Sequence, residues 1–215
     1  MTASLSGPRQ PRALPGFEKI RRYWDPVHGV WAAKILPGEF YVTRGGEMVV
    51  TTLGSCVAAC VRDREKRVGG MNHFMLPARG GNPESWVHDP VNVATRYGNN
   101  AMEQLINRIL KLGGRRENLD IKLFGGGRVL KGVTTDIGKR NIEFALEYAA
   151  AEKLNLIGQD LGDLYPRKVQ FFPDTGRAFS KKLYRTPNET VVEREEHYLH
   201  ELEDEPVASG EVDLF

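Results

Sequence analysis

Cysteine is scarce in this chain. Among 215 residues only Cys56 and Cys60 carry a thiol. Drawn out as a strand, residues four apart share a face, but about 13 Å separates their Cα atoms. That exceeds the reach of a disulfide. Long apolar runs are missing too: no stretch approaches the ~18–20 apolar residues of a membrane helix. The N-terminal MTASLSGPRQPRALPG lacks the apolar core of a secretory signal. The expectation is a cytoplasmic protein with reduced thiols and no membrane insertion. There is no internal repeat, and the length fits one domain with extensions.

Net charge is also small, +2, but it is unevenly spread. Residues 186–215 hold ten acidic groups against one basic, Arg194, leaving +11 on residues 1–185. A basic body suits an acidic partner. Nucleic acid is disfavoured, because no binding motif accompanies the charge.

Along the chain, residues 1–16 are rich in Pro, Arg, Ser and Gly and read as a disordered segment. Residues 17–38 carry Phe17, Ile20, Tyr23, Trp24, Val27, Val30, Trp31 and Ile35, with Pro26 and Pro37 forbidding one long helix. They read as a strap packed across the body. Residues 39–185 form the main domain and residues 186–215 an acidic, flexible tail. Strands are expected over 39–43, 48–53, 57–62, 68–76, 119–124, 154–159, 168–172 and 177–183. The last two flank Pro173-Asp174-Thr175-Gly176, a hairpin signal. Apolar residues at helical spacing mark 92–112 and 137–153. Interleaved strands and helices together with hairpins predict an α/β fold, a mixed-sheet sandwich with two main helices.

The chemistry centres on residues 51–77, TTLGSCVAACVRDREKRVGGMNHFMLP. If 57–62 and 67–72 pair around a loop at 63–66, Cys56 falls opposite His73. Opposed residues on one face of an antiparallel pair have Cβ atoms about 4.5–5.5 Å apart. An imidazole at that distance can take the thiol proton and generate a nucleophilic thiolate. Gly54 permits a sharp corner, and the backbone N–H groups around Gly54 and Ser55 can stabilise an oxyanion. A buried apolar cysteine beside an ordinary strand histidine is the plainer reading of the same residues.

Other sites are weaker. Cys56, Cys60 and His73 lack a fourth ligand and a usual zinc spacing, so no metal is expected. Gly125-Gly126-Gly127-Arg128 lacks the Gly-Lys-Ser/Thr ending of a phosphate-binding loop and reads as a tight loop lining a cleft. Arg167 and Lys168 are candidates to face an acidic partner.

The stretch LGSCVAACVRD…GGMNHFMLP resembles the signature of the chemoreceptor glutamine deamidase (CheD) family. The likeness continues through KLFGGGRVL at 122–130, DIGKRNIEFALEYAAAEKL at 136–154 and QDLGDLYPRKVQFFPDTG at 159–176, covering roughly residues 38–183. The resemblance implies a sandwich similar to that of bacterial toxin deamidases. It implies a protein-glutamine glutaminase that converts receptor glutamines to glutamate without a cofactor. Cys56 would be the nucleophile and His73 its base. Some members carry an orienting threonine six residues before the cysteine; here that position is Val50, leaving Thr51 and Thr52 as candidates. A second departure is Gly162-Asp163, where a Gly-Gly pair is common.

The implied partners are methyl-accepting chemotaxis receptors in their arrays and a CheC-type phosphatase. Some members also hydrolyse receptor methyl esters, which the same machinery would permit. The alternative is a non-catalytic receptor adaptor or a phosphatase regulator. A papain-like peptidase is disfavoured by the short Cys–His spacing.

Overall fold

A computed structural model describes residues 8–77, 93–129, 136–184 and 189–204. The strands are β1 (Arg21–Asp25), β2 (Val30–Lys34), β3 (Phe40–Thr43), β4 (Met48–Leu53), β5 (Val57–Asp63), β6 (Gly69–Asn72), β7 (Leu119–Gly125), β8 (Asn155–Leu161), β9 (Arg167–Phe172) and β10 (Arg177–Lys182). The helices are α1 (Val93–Lys111), α2 (Ile137–Ala151) and α3 (Glu189–Asp204).

Two five-stranded sheets form, in the orders β1-β2-β4-β9-β10 and β3-β6-β5-β7-β8. Each is mixed: β2–β4 and β7–β8 are parallel, and the remaining pairs antiparallel. Alternation along β4 explains how the sheets meet. Val49 and Leu53 enter the main core, while Met48 and Val50 join a small cluster on the outer face with Ala32. The second sheet is covered on its other face by α1 and α2. β5 and β6 are accordingly buried almost throughout, which is why they read as continuous apolar runs rather than alternating ones.

α2 buries the expected Ile137, Phe144, Ala145, Tyr148 and Ala149, and Asp136 caps its N-terminus by accepting from Lys139 N. α1 buries Met102, Leu105, Ile106 and Ile109. Each such large apolar side chain contributes about 1.5–3 kcal/mol.

The expectation of two main helices is corrected: the described residues hold three. The third arises within the acidic segment 186–215. Val191, Val192, Tyr198, Leu199 and Leu202 give α3 an apolar stripe at helical spacing, with Leu199 and Leu202 buried and the others half-buried. Tyr198 hydrogen-bonds Tyr97 of α1 through the two hydroxyls.

Residues 17–38 contribute β1 and β2 to the first sheet, with Trp24 opposite Trp31. Residues 8–16 have neither helix nor strand, yet Pro8 and Pro11 carbonyls accept from Trp31 Nε1 and Arg22 Nη1. Residues 1–7, 78–92, 130–135, 185–188 and 205–215, Trp86 and His88 among them, lie outside the described residues.

Candidate active site

The β5–β6 hairpin brings the two halves of the site together in a register different from the expected one. Cys60 pairs with Met71, and an isolated bridge joins Val57 to Phe74. Asp63 N donates to Val68 O, so the loop comprises residues 64–67 rather than 63–66. His73 therefore lies opposite Ala58, and Cys56 meets it diagonally. An even displacement keeps the face, so the two side chains still converge.

His73 is fixed on both sides. Its N–H donates to Glu39 O at 2.9 Å, and its carbonyl accepts from Gly38 N at 2.8 Å. Its Nδ1 lies 2.7 Å from Thr51 Oγ1, which reaches across from the first sheet. The Thr51 hydroxyl donates to Ile35 O at 2.9 Å. Its oxygen is then left to accept, which places the ring proton on Nδ1. Nε2 is buried and has no hydrogen-bond partner among the described residues. Cys56 Sγ and a ring nitrogen of His73 lie within 4.8 Å of each other.

Thr51 belongs to the inward set of β4 with Val49 and Leu53. Thr52 is on the outward face with Val50 and does not reach the histidine. The strand position that matches the family's threonine thus points away from the site, and the neighbouring position makes the contact.

The corner before β5 is an anion cradle. Gly54 N and Cys56 N donate to Glu195 Oε1 at 2.7 and 3.2 Å, and Ser55 N and Ser55 Oγ donate to Oε2 at 2.6 and 2.7 Å. Glu195, on α3, is 1% exposed, and no ion pair to it is found among the described residues. Gly54 is required by close approach rather than by a turn. A Cβ there would stand 2.6 Å from both Glu195 Oε2 and Val129 Cγ2.

The corner is braced from behind. Gly126 N donates to Cys56 O and Gly127 N to Gly54 O, each at 2.7 Å. Those N–H groups are therefore committed to protein carbonyls and not to a phosphate. Gly125 and Gly126 adopt φ of +111° and +68°, which suits glycine. Asn141 of α2 donates to Ser55 O and accepts from Leu76 N, both at 2.9 Å, tying the corner to the chain just beyond His73. Asp163 sits at φ +77°, and its carbonyl accepts from Arg128 N, so the Gly162-Asp163 turn is linked to this loop.

Electrostatics keep the pair un-ionised in this structure. Burial drives the Cys56 thiol well above its ordinary value, and the adjacent Glu195 carboxylate adds to the shift. Burial pushes His73 down to about 3, with repulsion from Arg194 adding to it. Cys56, His73 and Glu195 also have the residue types of a metal site, with ligand atoms within 4.8 Å. Both Glu195 oxygens, however, already face N–H and O–H donors, an arrangement that suits an anion and repels a cation.

Cys60 is buried and raised in pKa by burial. Both cysteines are free thiols. Arg167, expected to face a partner, is fully buried and pairs with Asp160 at 2.9 Å. Sequence reasoning missed Glu195 and Asn141. Each is a polar residue set within the apolar stripe of its helix, a signal visible in the sequence.

A buried thiol, an imidazole within 4.8 Å of it and a backbone anion cradle define a cysteine-dependent acyl-transfer hydrolase on an α/β sandwich. A family model described as CheD chemotactic sensory transduction matches residues 75–182. A probable chemoreceptor glutamine deamidase CheD of Halorhodospira halophila is 72% identical over 205 residues, covering 95% of this chain and 94% of the relative. Proteins of the same description from Thiobacillus denitrificans and Hahella chejuensis are 52% and 45% identical, covering 90% and 95% of this chain and 94% and 95% of their own. The chain belongs to the CheD family. No helix among the described residues is long and apolar enough to cross a membrane.

Proposed function

We infer that this chain hydrolyses glutamine side-chain amides to glutamate on chemoreceptors, with Cys56 as nucleophile and His73 as acid and base. The observation that carries this reading is the buried His73, its Nε2 unpartnered among the described residues and a ring nitrogen within 4.8 Å of the Cys56 thiol, beside a cradle that grips a carboxylate. Nε2 takes the thiol proton and the thiolate attacks the amide carbon. The N–H groups of Gly54, Ser55 and Cys56 hold the oxyanion. The imidazolium protonates the departing ammonia, leaving a thioester. Water, deprotonated by His73, adds to the thioester, and the thiol is regenerated. Thr51 is the positioning residue that holds the productive tautomer. No cofactor enters any step.

The relatives are described as probable chemoreceptor glutamine deamidases, which supports chemoreceptors as substrates. The basic body suits the acidic surface of a receptor's cytoplasmic helices, and association with receptor arrays follows from that substrate. The test is mass spectrometry of cognate receptor cytoplasmic fragments. Wild type should add about +1 Da at chosen glutamines, the change from amide to acid. Identical spectra from wild type and Cys56→Ala would refute the reading. They would favour a binding role on receptors or on a CheC-type phosphatase if Cys56→Ala still binds.

A further inference from the structure

A buried carboxylate normally has a cationic partner. Glu195 has none among the described residues. Its four donors all come from the corner that would hold the oxyanion. Chemically, a glutamate side chain on this cradle, beside a thiol and an imidazole, is the product of glutamine deamidation. It is delivered from the middle of a helix, flanked by half-buried Val191 and Val192 before it and by Tyr198, Leu199 and Leu202, which pack on the core, after it. Glu193, Glu196 and Glu201 lie exposed on the same helix, which is acidic, as suits a basic body. With α3 in place Cys56 is 0% exposed and His73 1% exposed, so no external amide can reach the thiol.

We propose that α3 occupies the substrate seat as an intramolecular product mimic. A substrate glutamine is then presented in the same way, from an amphipathic helix that displaces α3. That helix should carry apolar residues three or four positions before the target and three, four and seven positions after it. This rests on the deamidase reading above. It adds the shape of the substrate and an autoinhibited resting state, neither of which follows from the chemistry alone.

The decisive test uses the full chain carrying Glu195→Gln. The introduced amide sits where Glu195 is held, so the enzyme should convert it back. The Cys56 S–C bond forms, the C–N bond breaks with release of ammonia, and water cleaves the thioester. Peptide mass spectra should show about +1 Da at this position, either complete on purification or rising at a rate independent of protein concentration. Glu195→Gln combined with Cys56→Ala should keep the amide.

An amide that persists while wild type deamidates receptor fragments would overturn the substrate seat and leave the deamidase reading intact. If receptor fragments are not modified either, both fall. A conversion rate that rises with concentration would also overturn an in-chain seat. In parallel, Leu199→Asp should loosen α3 and raise receptor turnover by roughly tenfold or more. Unchanged turnover, with α3 released as judged by faster hydrogen exchange, would overturn the autoinhibition.

Discussion

Thr51 Oγ1 lies 2.7 Å from His73 Nδ1 and joins the two sheets beside Cys56. Because the Thr51 hydroxyl proton is spent on Ile35 O, the threonine oxygen must accept from the ring. Thr51→Ala removes that acceptor and frees the tautomer. The expected loss is about 10- to 100-fold in kcat with KM little changed, the scale of a misplaced catalytic group. Thr51→Ser should recover most of the rate, and Thr52→Ala should behave as wild type. Steady-state kinetics on a receptor fragment measures all three.

Asn141 clamps the corner to the strand end through two buried hydrogen bonds. Asn141→Ala leaves Ser55 O and Leu76 N unsatisfied and should cost about 2–4 kcal/mol. A denaturant titration gives the stability change. Asn141→Asp retains an acceptor for Leu76 N but sets a carboxylate against Ser55 O, and should be at least as damaging.

Stability should fall in mild acid because of His73. Its folded pKa, about 3, lies below the ordinary imidazole value of 6.5. Between these values the unfolded chain binds a proton that the folded chain refuses. The contribution is fully present above pH 6.5 and is lost as pH falls towards 3, by up to about 1.4 kcal/mol per pH unit. Denaturant midpoints followed from pH 7 to pH 4.5 should show this slope, and His73→Gln should reduce it by close to one proton. An unchanged slope in that variant would contradict the burial argument.

Asp63 pins the hairpin that carries the site. Its carboxylate accepts from Glu65 N, Lys66 N and Arg115 N at 2.8, 2.7 and 2.7 Å. Burial opposes its ionisation, but the backbone donors of Lys66, Arg115 and Glu65 outweigh that and lower its pKa. Asp63→Ala should cost about 2–4 kcal/mol, measured by thermal or denaturant unfolding at neutral pH. The difference from wild type should narrow as pH drops through the carboxylate range, since a depressed pKa gives stability only while the group is ionised.

Local patterns in the sequence expose much of this fold. The runs 48–53 and 57–62, the stripes of α1 and α2 and the turn at 173–176 carry their own signals, and each appears close to its expected place. β1 and β2 are hidden in the sequence because Arg21–Asp25 and Val30–Lys34 are short, and Pro26 and Pro37 argue only against one long helix. Their turn is set by Asp25, whose Oδ1 accepts from Val27 N and His28 N, a local bond that periodicity does not report.

That Cys56 and His73 converge is legible because one hairpin carries both residues, although its four-residue loop lies one position later than expected, which shifts the register. Thr51 was not separable from Thr52 because the choice depends on which face of β4 meets the second sheet. Glu195 was lost to a reading of net charge: ten acidic residues in 186–215 suggested a solvated tail and masked one that breaks the apolar stripe of α3.

The central claim, that Cys56 forms a thioester with the glutamine side chain, is tested most directly by acid-quench mass spectrometry of the Cys56 peptide during turnover of a receptor fragment. The account predicts a transient adduct equal to the glutamine-bearing peptide less one ammonia, discharged by hydroxylamine and absent from Cys56→Ala, which should show no deamidation. Deamidation at the wild-type rate by Cys56→Ala, or turnover with Cys56 unmodified throughout, would contradict it.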